Sequence, residues 1–295
     1  MEKMEGNNNR RCDENLILSI IILTYNSVNY IDNCLKGIYK NIEGVKFEVI
    51  VVDSGSTDGT LDILKRQRPN LNVILLDRNY GTAYSRNIAI RKARGNYLLF
   101  LDSDTVILRG AIKELINTFK KIPDAGIVAP RLLYPDGTVQ KSCKLFPNFP
   151  LKILKFIPFL ERLGEKMELY KDYVYSKNFR KIISVDYCIS ACWLVKREVL
   201  DRVGLFDENI SYAPEDVDMC IRMWLNGYKV VYNPSAEVIH YSQRASRRSL
   251  RKAFIHLKGL LYYFRKYHYV FDRRKIYNKI MKKFPTSYHT ECTLS

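Results

Sequence analysis

Residues 96–104 read Asn96-Tyr97-Leu98-Leu99-Phe100-Leu101-Asp102-Ser103-Asp104. From Tyr97 to Leu101 the run is apolar without alternation, the pattern of a strand buried on both faces. It then breaks into two carboxylates separated by one residue. Hard oxygen ligands at that spacing suit Mg²⁺ or Mn²⁺, which keep waters and bridge substrate phosphates. Taken alone, Asp102-Ser103-Asp104 reads more readily as a turn and cap ahead of a helix at 109–121. The neighbouring strand ends change that balance.

Working outward, the same apolar pattern recurs at 16–23 (LILSIIIL), 47–53 (FEVIVVD), 72–77 (NVILLD) and 126–130 (GIVAP). Between these strands, residues 28–42, 58–65, 82–94 and 109–121 have helical spacing. Strands alternating with helices predict an α/β fold, with a mostly parallel central sheet flanked by helices. After Pro130 the rhythm breaks. Residues 131–180 are irregular, 149–163 is apolar and basic together, and 182–196 reads as strands. Residues 214–228 predict a helix with Pro214 first and Val217, Ile221, Trp224, Leu225 and Tyr228 on one face. Short strands are expected at 228–234 and 236–240, then basic aromatic helices over 245–283. The expected division is a disordered leader (1–15), a main domain (16–244) whose halves meet near 130, and a basic helical extension (245–295).

The chain has 295 residues, 47% of them apolar, enough for a sizeable core. No apolar run is long enough to predict a membrane span, and the polar N-terminus does not fit a secretory signal. Net charge is +17; from Tyr241 onward 14 Lys and Arg stand against two Asp and Glu, so +12 of it lies there. Such a segment points to a polyanionic surface. The seven cysteines are scattered and complete no zinc pattern, which reads as reduced thiols in a cytosolic protein.

Ligands of open parallel sheets bind beyond the carboxyl ends of the strands. Those ends carry Thr24-Tyr25-Asn26, Asp53, Asp77-Arg78-Asn79 and Asp102-Ser103-Asp104. Asp53 suits a base N–H or a ribose hydroxyl, or else an Asx-turn. Asp58 reads as a turn and cap residue. Arg86 and Asn87, early on a helix, either face the crevice or, for Arg86, line a solvated basic face. Glu215, Asp216 and Asp218 open the later helix. Acids there complement the helix dipole, and a carboxylate there is also a candidate general base. His240 ends the last strand, as a structural residue or a third metal ligand. No GxGxxG follows the first strand and no GxxxxGK[ST] occurs, so dinucleotide and P-loop sites lose their sequence support.

In order, IIILTYN, VVDSGSTDGT, DRNYGTAYSRN, LLFLDSD, EDVDMCIRMWLNGYKV and a strand ending in His resemble the family-2 inverting glycosyltransferases of GT-A fold over residues 16–270. APRLLYPDGTVQKSCKLFPNFP and VLDRVGLFDENISYAPEDVD resemble the rhamnosyltransferase-type branch, which builds surface polysaccharides. The resemblance implies a nucleotide-sugar-binding half before 130 and an acceptor half after it. It implies that Asp53 binds the nucleobase and that Thr24 and Asn26, with Tyr25 between them, line the nucleotide pocket. Asp102 and Ser103 then lie on the ribose side, Asp104 and His240 ligate Mg²⁺ or Mn²⁺ with Asp102, and Asp216 of the Glu215-Asp216 pair is the base. The sugar, rhamnose or another hexose, would pass with inversion from a nucleotide-diphosphate donor to a saccharide or polyprenyl-linked acceptor, with no covalent intermediate. Two departures stand out. Thr82 follows Gly81 where many relatives have Phe, and Ser190-Ala191-Cys192-Trp193 replaces a Gly-Ala, with Trp193 expected to shape the sugar or acceptor pocket.

The basic, aromatic C-terminal stretch suits an anionic membrane surface, or simple packing of Leu257, Leu260, Leu261 and Phe264 onto the domain. The expected location is the cytoplasm, peripheral on the inner face of the membrane. A nucleic-acid-binding protein would leave the strand-end acids unexplained. A nucleotidyltransferase would need an early basic residue to grip a triphosphate.

Overall fold

The computed structural model describes residues 17–67, 71–149, 161–169, 171–242 and 250–284. The expected leader at 1–15 lies outside the described residues, as does most of the apolar, basic stretch at 149–163.

The strands are β1 (Leu18–Thr24), β2 (Phe47–Asp53), β3 (Asn72–Leu75), β4 (Tyr97–Asp102), β5 (Thr105–Ile107), β6 (Ala125–Leu133), β7 (Cys143–Lys144), β8 (Ile183–Ser184), β9 (Tyr187–Cys188), β10 (Cys192–Lys196) and β11 (Lys229–His240). The α-helices are α1 (Ile31–Asn41), α2 (Thr60–Arg66), α3 (Thr82–Lys92), α4 (Ala111–Lys121), α5 (Glu161–Glu168), α6 (Arg197–Val203), α7 (Glu215–Leu225), α8 (Leu250–Tyr267) and α9 (Arg274–Met281). Among the described residues the main sheet has nine strands, ordered β3-β2-β1-β4-β10-β6-β11-β5 with β8 beside β11.

β1 to β4 are mutually parallel, as expected, and lie in the order β3-β2-β1-β4. Leu18, Ile20 and Ile22 pack into the core on one face, Ile21 into the core on the other. Each such burial contributes roughly 1.5–3 kcal/mol, which is why these runs are apolar throughout. GIVAP does not follow β4 directly: β10 lies between β4 and β6, antiparallel to both. Cys192 to Val195 are all buried, so this segment needs cover on both faces and takes an interior position.

The two short strands expected at 228–234 and 236–240 are one strand, β11. Its register slips between Asn233 and Glu237, where Pro234 has no N–H for the ladder and Asn233 Oδ1 accepts the Ser235 N–H at 2.9 Å. Pro214 caps α7 instead of starting it.

α8 and α9 pack on the part of the chain that follows residue 130. Leu260, Tyr263, Phe264, Tyr267, Ile276 and Ile280 are buried in the same core as α7. The Phe284 and Trp224 rings meet at 5.3 Å. Leu257 and Leu261, expected to pack with Leu260 and Phe264, are 41% and 54% exposed. No helix among the described residues is long and apolar enough to cross a membrane.

Candidate active site

Parallel register brings the strand ends to one edge. Thr24 pairs with Asp53, Asp53 with Leu75, and Leu23 with Asp102. The polar residues after β1, β2 and β4 therefore share one crevice, as the sheet rule requires.

The β1 and β2 ends are stitched together. Asp53 Oδ2 accepts the Thr24 hydroxyl at 2.7 Å and the Ser56 hydroxyl at 2.6 Å, while Oδ1 accepts the N–H groups of Gly55 and Ser56 at 3.1 and 2.9 Å. Those four donors fill the acceptor sites of the carboxylate. Asp53 thus forms an Asx-turn after β2, and Thr24 donates its hydroxyl to it from the end of β1. Asn26, at φ 54°, accepts the Thr57 N–H through Oδ1 at 2.9 Å and donates its own N–H to Ser56 Oγ at 2.9 Å. Asp58 takes the Val28 and Thr60 N–H groups, both at 3.0 Å, as a cap. Tyr25 stands exposed at the crevice edge.

Past β4, the ligand atoms of Asp102, Asp104 and His240 all lie within 4.8 Å of one another. β5 turns back antiparallel to β11 and sets Thr105 opposite His240, which joins residues from opposite ends of the domain. His240 Nε2 is 3.5 Å from Asp104 Oδ1. Burial pushes the imidazole pKa down, and the adjacent Asp104 more than offsets this, so the net shift is upward. Two carboxylates and an imidazole nitrogen this close fit one divalent cation. Gln140 holds the histidine from behind: its amide donates to the His240 carbonyl at 2.7 Å and its oxygen meets Nδ1 at 2.9 Å. With Nδ1–H donating, the Nε2 lone pair faces the aspartates. The Ser103 hydroxyl meets Ser27 Oγ, just past the end of β1, at 2.9 Å. Desolvation pushes the Asp102 carboxyl up to about 6, with Arg86 opposing and Asp104 adding to the rise.

Arg86 is no solvated helix face; it is 3% exposed. Its Nη2 donates to Ser190 Oγ at 2.9 Å, and the guanidinium lies 3.8 Å from Asp102 and 3.6 Å from Glu215. Asn87, on the next helical position, points elsewhere. Its amide donates to Phe206 O and Glu208 Oε1 at 2.9 and 2.8 Å, and its oxygen accepts the Phe206 N–H at 2.9 Å. Its expected substrate role gives way to a clamp on the loop before α7. Trp193 does not line a pocket either. β10 pairs it with Phe100 in mid-sheet, and it is fully buried.

The three acids of the first turn of α7 separate. Glu215 is buried beside Arg86. Burial, then the Asp216 charge, pushes its carboxyl up, with Arg86 opposing. Asp218 is fully buried among cations and a tyrosine on the far side. Asp216 is half-buried, with Oδ1 accepting the Val217 N–H at 2.8 Å. Its charge is felt at Asp102 and also at the buried Tyr187, Cys188 and Cys220. The loop after β3 is pressed against the segment leading into α7. Thr82 N donates to Ser211 O at 2.7 Å, and a Cβ on Gly81 (φ +101°) would sit 2.3 Å from that oxygen.

Gln140 and Ser190 were missed by the sequence reading. Both stand in stretches quoted above, Gln140 in APRLLYPDGTVQKSCKLFPNFP and Ser190 ahead of Ala191-Cys192-Trp193, but the part of each depends on a partner about a hundred residues away.

The sequence profile of glycosyl transferase family 2 matches residues 19–204. The chain is 28% identical over 245 residues to the N-acetylglucosaminyl-diphospho-decaprenol L-rhamnosyltransferase of Mycobacterium tuberculosis, covering 79% of this chain and 78% of that one. It is 25% identical over 279 residues to the rhamnosyltransferase WbbL of Escherichia coli, covering 92% and 98%. Among solved structures, the mannosyltransferase PcManGT of Pyrobaculum calidifontis, in complex with GDP-Man and Mn²⁺, shares the fold at a TM-score of 0.57 and 21% identity, over 84% of this chain and 64% of that one. The matched segment runs from β1 through α6 and so contains the Thr24 and Asp53 loops and the Asp102-Ser103-Asp104 turn. The chain belongs to glycosyl transferase family 2, a glycosyltransferase of GT-A fold.

Proposed function

We propose that the chain moves a hexose, rhamnose being the first candidate, from a nucleotide-diphosphate donor to a hydroxyl of a saccharide on a lipid-linked acceptor, with inversion, in surface polysaccharide synthesis. One observation carries this: the Asp102, Asp104 and His240 cluster faces the crevice at the strand ends, and Arg86 links it to the acidic first turn of α7.

Asp102, Asp104 and His240 would hold Mg²⁺ or Mn²⁺, which when bound supplies positive charge to the leaving diphosphate. Tyr25 and Asn26 border the nucleotide side. Asp53 acts by holding the Thr24–Ser56 loops in shape. Asp216 takes the proton of the attacking hydroxyl, from the face of the sugar opposite the diphosphate, as the displacement requires. Glu215, locked to Arg86, fixes the turn that carries Asp216. The M. tuberculosis relative, named as a transferase acting on a decaprenol-linked sugar diphosphate, supports a lipid-linked acceptor. The nucleotide sugar and Mn²⁺ in the PcManGT complex support the donor class and the metal.

A lipid-linked acceptor implies work at a membrane, on the cytoplasmic face where nucleotide sugars are available. Leu257, Leu261, Val270 and Phe271 are exposed on α8 and the turn after it, beside the exposed Lys258 and Arg265. Apolar groups flanked by cations suit the headgroup layer of an anionic bilayer.

The test is a panel of nucleotide sugars with Mn²⁺, Mg²⁺ or chelator, run on wild type, Asp104→Ala and Asp216→Ala. Metal-dependent binding of one donor, lost in Asp104→Ala and kept without turnover in Asp216→Ala, is the expected result. Folded protein that binds no donor with either metal would reject the site.

A further inference from the structure

α8 lies beyond the matched family segment, yet it grips α7 through ionic and hydrogen-bonding contacts. The Lys266 ammonium lies 2.6 Å from Asp218 Oδ1 and 2.6 Å from Asp207 Oδ2. Tyr267 donates its hydroxyl to the same Asp218 oxygen at 2.7 Å. Asp218 Oδ2 takes Arg222 Nε at 2.9 Å. Asp207 also accepts the Tyr262 hydroxyl at 3.1 Å. At Gly259 of α8 a Cβ would meet the Ala213 carbonyl at 2.8 Å, so the helix backbone rests directly on the residues entering α7.

These contacts bracket the acidic turn. Asp207 lies before it, Ala213 at its entrance and Asp218 within it. Asp218 is fully buried, and a buried carboxylate persists only when paired and hydrogen-bonded. One lysine serves two carboxylates. Neither is needed to fold α8 itself, whose apolar face is already buried through Leu260, Tyr263 and Phe264. Arg86 holds the same turn from the opposite side, through Glu215.

We infer that Lys266 and Tyr267 are positioning residues for catalysis: by fixing Asp218 from behind, they set where Asp216 stands over the crevice. The C-terminal helix is then part of the catalytic unit. This rests on the reading of Asp216 as the base. The prediction is geometric: displacement of a catalytic group by about an ångström costs on the order of a hundredfold in rate while leaving donor contacts alone.

The experiment compares full-length wild type, Lys266→Met, Lys266→Arg and Tyr267→Phe. For Lys266→Met, donor affinity with Mn²⁺ should stay within about twofold, kcat should fall at least about tenfold, and Lys266→Arg should recover most of it. Backbone hydrogen exchange at 215–218 should speed up in Lys266→Met and stay slow in Lys266→Arg. If Lys266→Met does not fold, Tyr267→Phe, which removes one hydrogen bond, carries the same comparison with a smaller effect. Unchanged kcat and unchanged exchange in a folded variant overturn the inference, and so does a parallel loss of donor affinity and kcat. If wild type turns over no donor, the functional reading has failed instead, and the exchange data alone decide whether α8 holds the turn.

Discussion

Arg86 Nη1 lies 3.6 Å from Glu215 Oε1, and both side chains are buried. The arginine comes from α3 and the glutamate from the first turn of α7, so this ion pair joins two elements far apart in sequence. The arginine stacks over Phe206, 5.1 Å from its ring centroid.

Arg86→Met should destabilise the fold by about 2 kcal/mol, below the roughly 3–5 kcal/mol typical of breaking a buried pair. The reason is that Glu215 already holds its proton more tightly than usual and can neutralise itself. Adding Glu215→Gln should recover part of the loss. Urea melts of both single variants and the double variant measure the coupling; strict additivity would show that the two residues do not interact.

Gln140→Leu should weaken Mn²⁺ binding by roughly 10–100-fold, the usual effect of losing the partner behind a metal-binding histidine. The leucine fills the space but cannot hold Nδ1. Calorimetric titration without donor reads this directly, and Gln140→Glu, which still accepts from Nδ1–H, should lose less.

Stability should fall as pH rises from about 4.5 to about 7. Glu215, ordinarily near 4.5, is pushed up to about 7 by burial and by Asp216, with Arg86 opposing. In that window the folded protein holds a proton that the unfolded chain has released, so raising the pH favours unfolding. Glu215→Gln should flatten the upper part of this decline. Asp102, pushed up to about 6, leaves a smaller decline below it. Thermal melts in chelator across pH 4.5 to 8 test the sign.

Phe271→Ser with Leu261→Ser should reduce co-sedimentation with anionic phosphatidylglycerol vesicles by roughly tenfold, while donor binding is unchanged. These two side chains are 71% and 54% exposed. Neutral phosphatidylcholine vesicles should bind weakly throughout. Equal binding by wild type and variant would assign the attraction to charge alone.

The sheet was legible in the sequence wherever strands are covered on both faces. β1, β2 and β4 are apolar without alternation because their buried apolar side chains enter one of two cores. β5, three residues long, was not legible, since it exists only through pairing with β11. β10 was visible as a strand, but its antiparallel place between β4 and β6 was not, because periodicity reports burial and not the choice of neighbour.

At the site, the sequence by itself determined which chemistry was available. It supplied carboxylates after β2 and β4, an acidic helix start and a histidine at a strand end. Tertiary structure alone decided the use of each. Asp53 was drawn into its own turn by Thr24 and Ser56, Asn87 was turned toward Phe206, and Trp193 was sealed in mid-sheet. Glu215, Asp216 and Asp218 look alike on paper, yet Arg86 claimed the first and Lys266 the third, 48 residues away, and Asp216 stayed half-buried between them. The physical reason is range. Hydrophobic period and capping are local and write themselves into neighbouring residues, whereas the partner of a buried polar group is whatever the folded chain brings within hydrogen-bond reach.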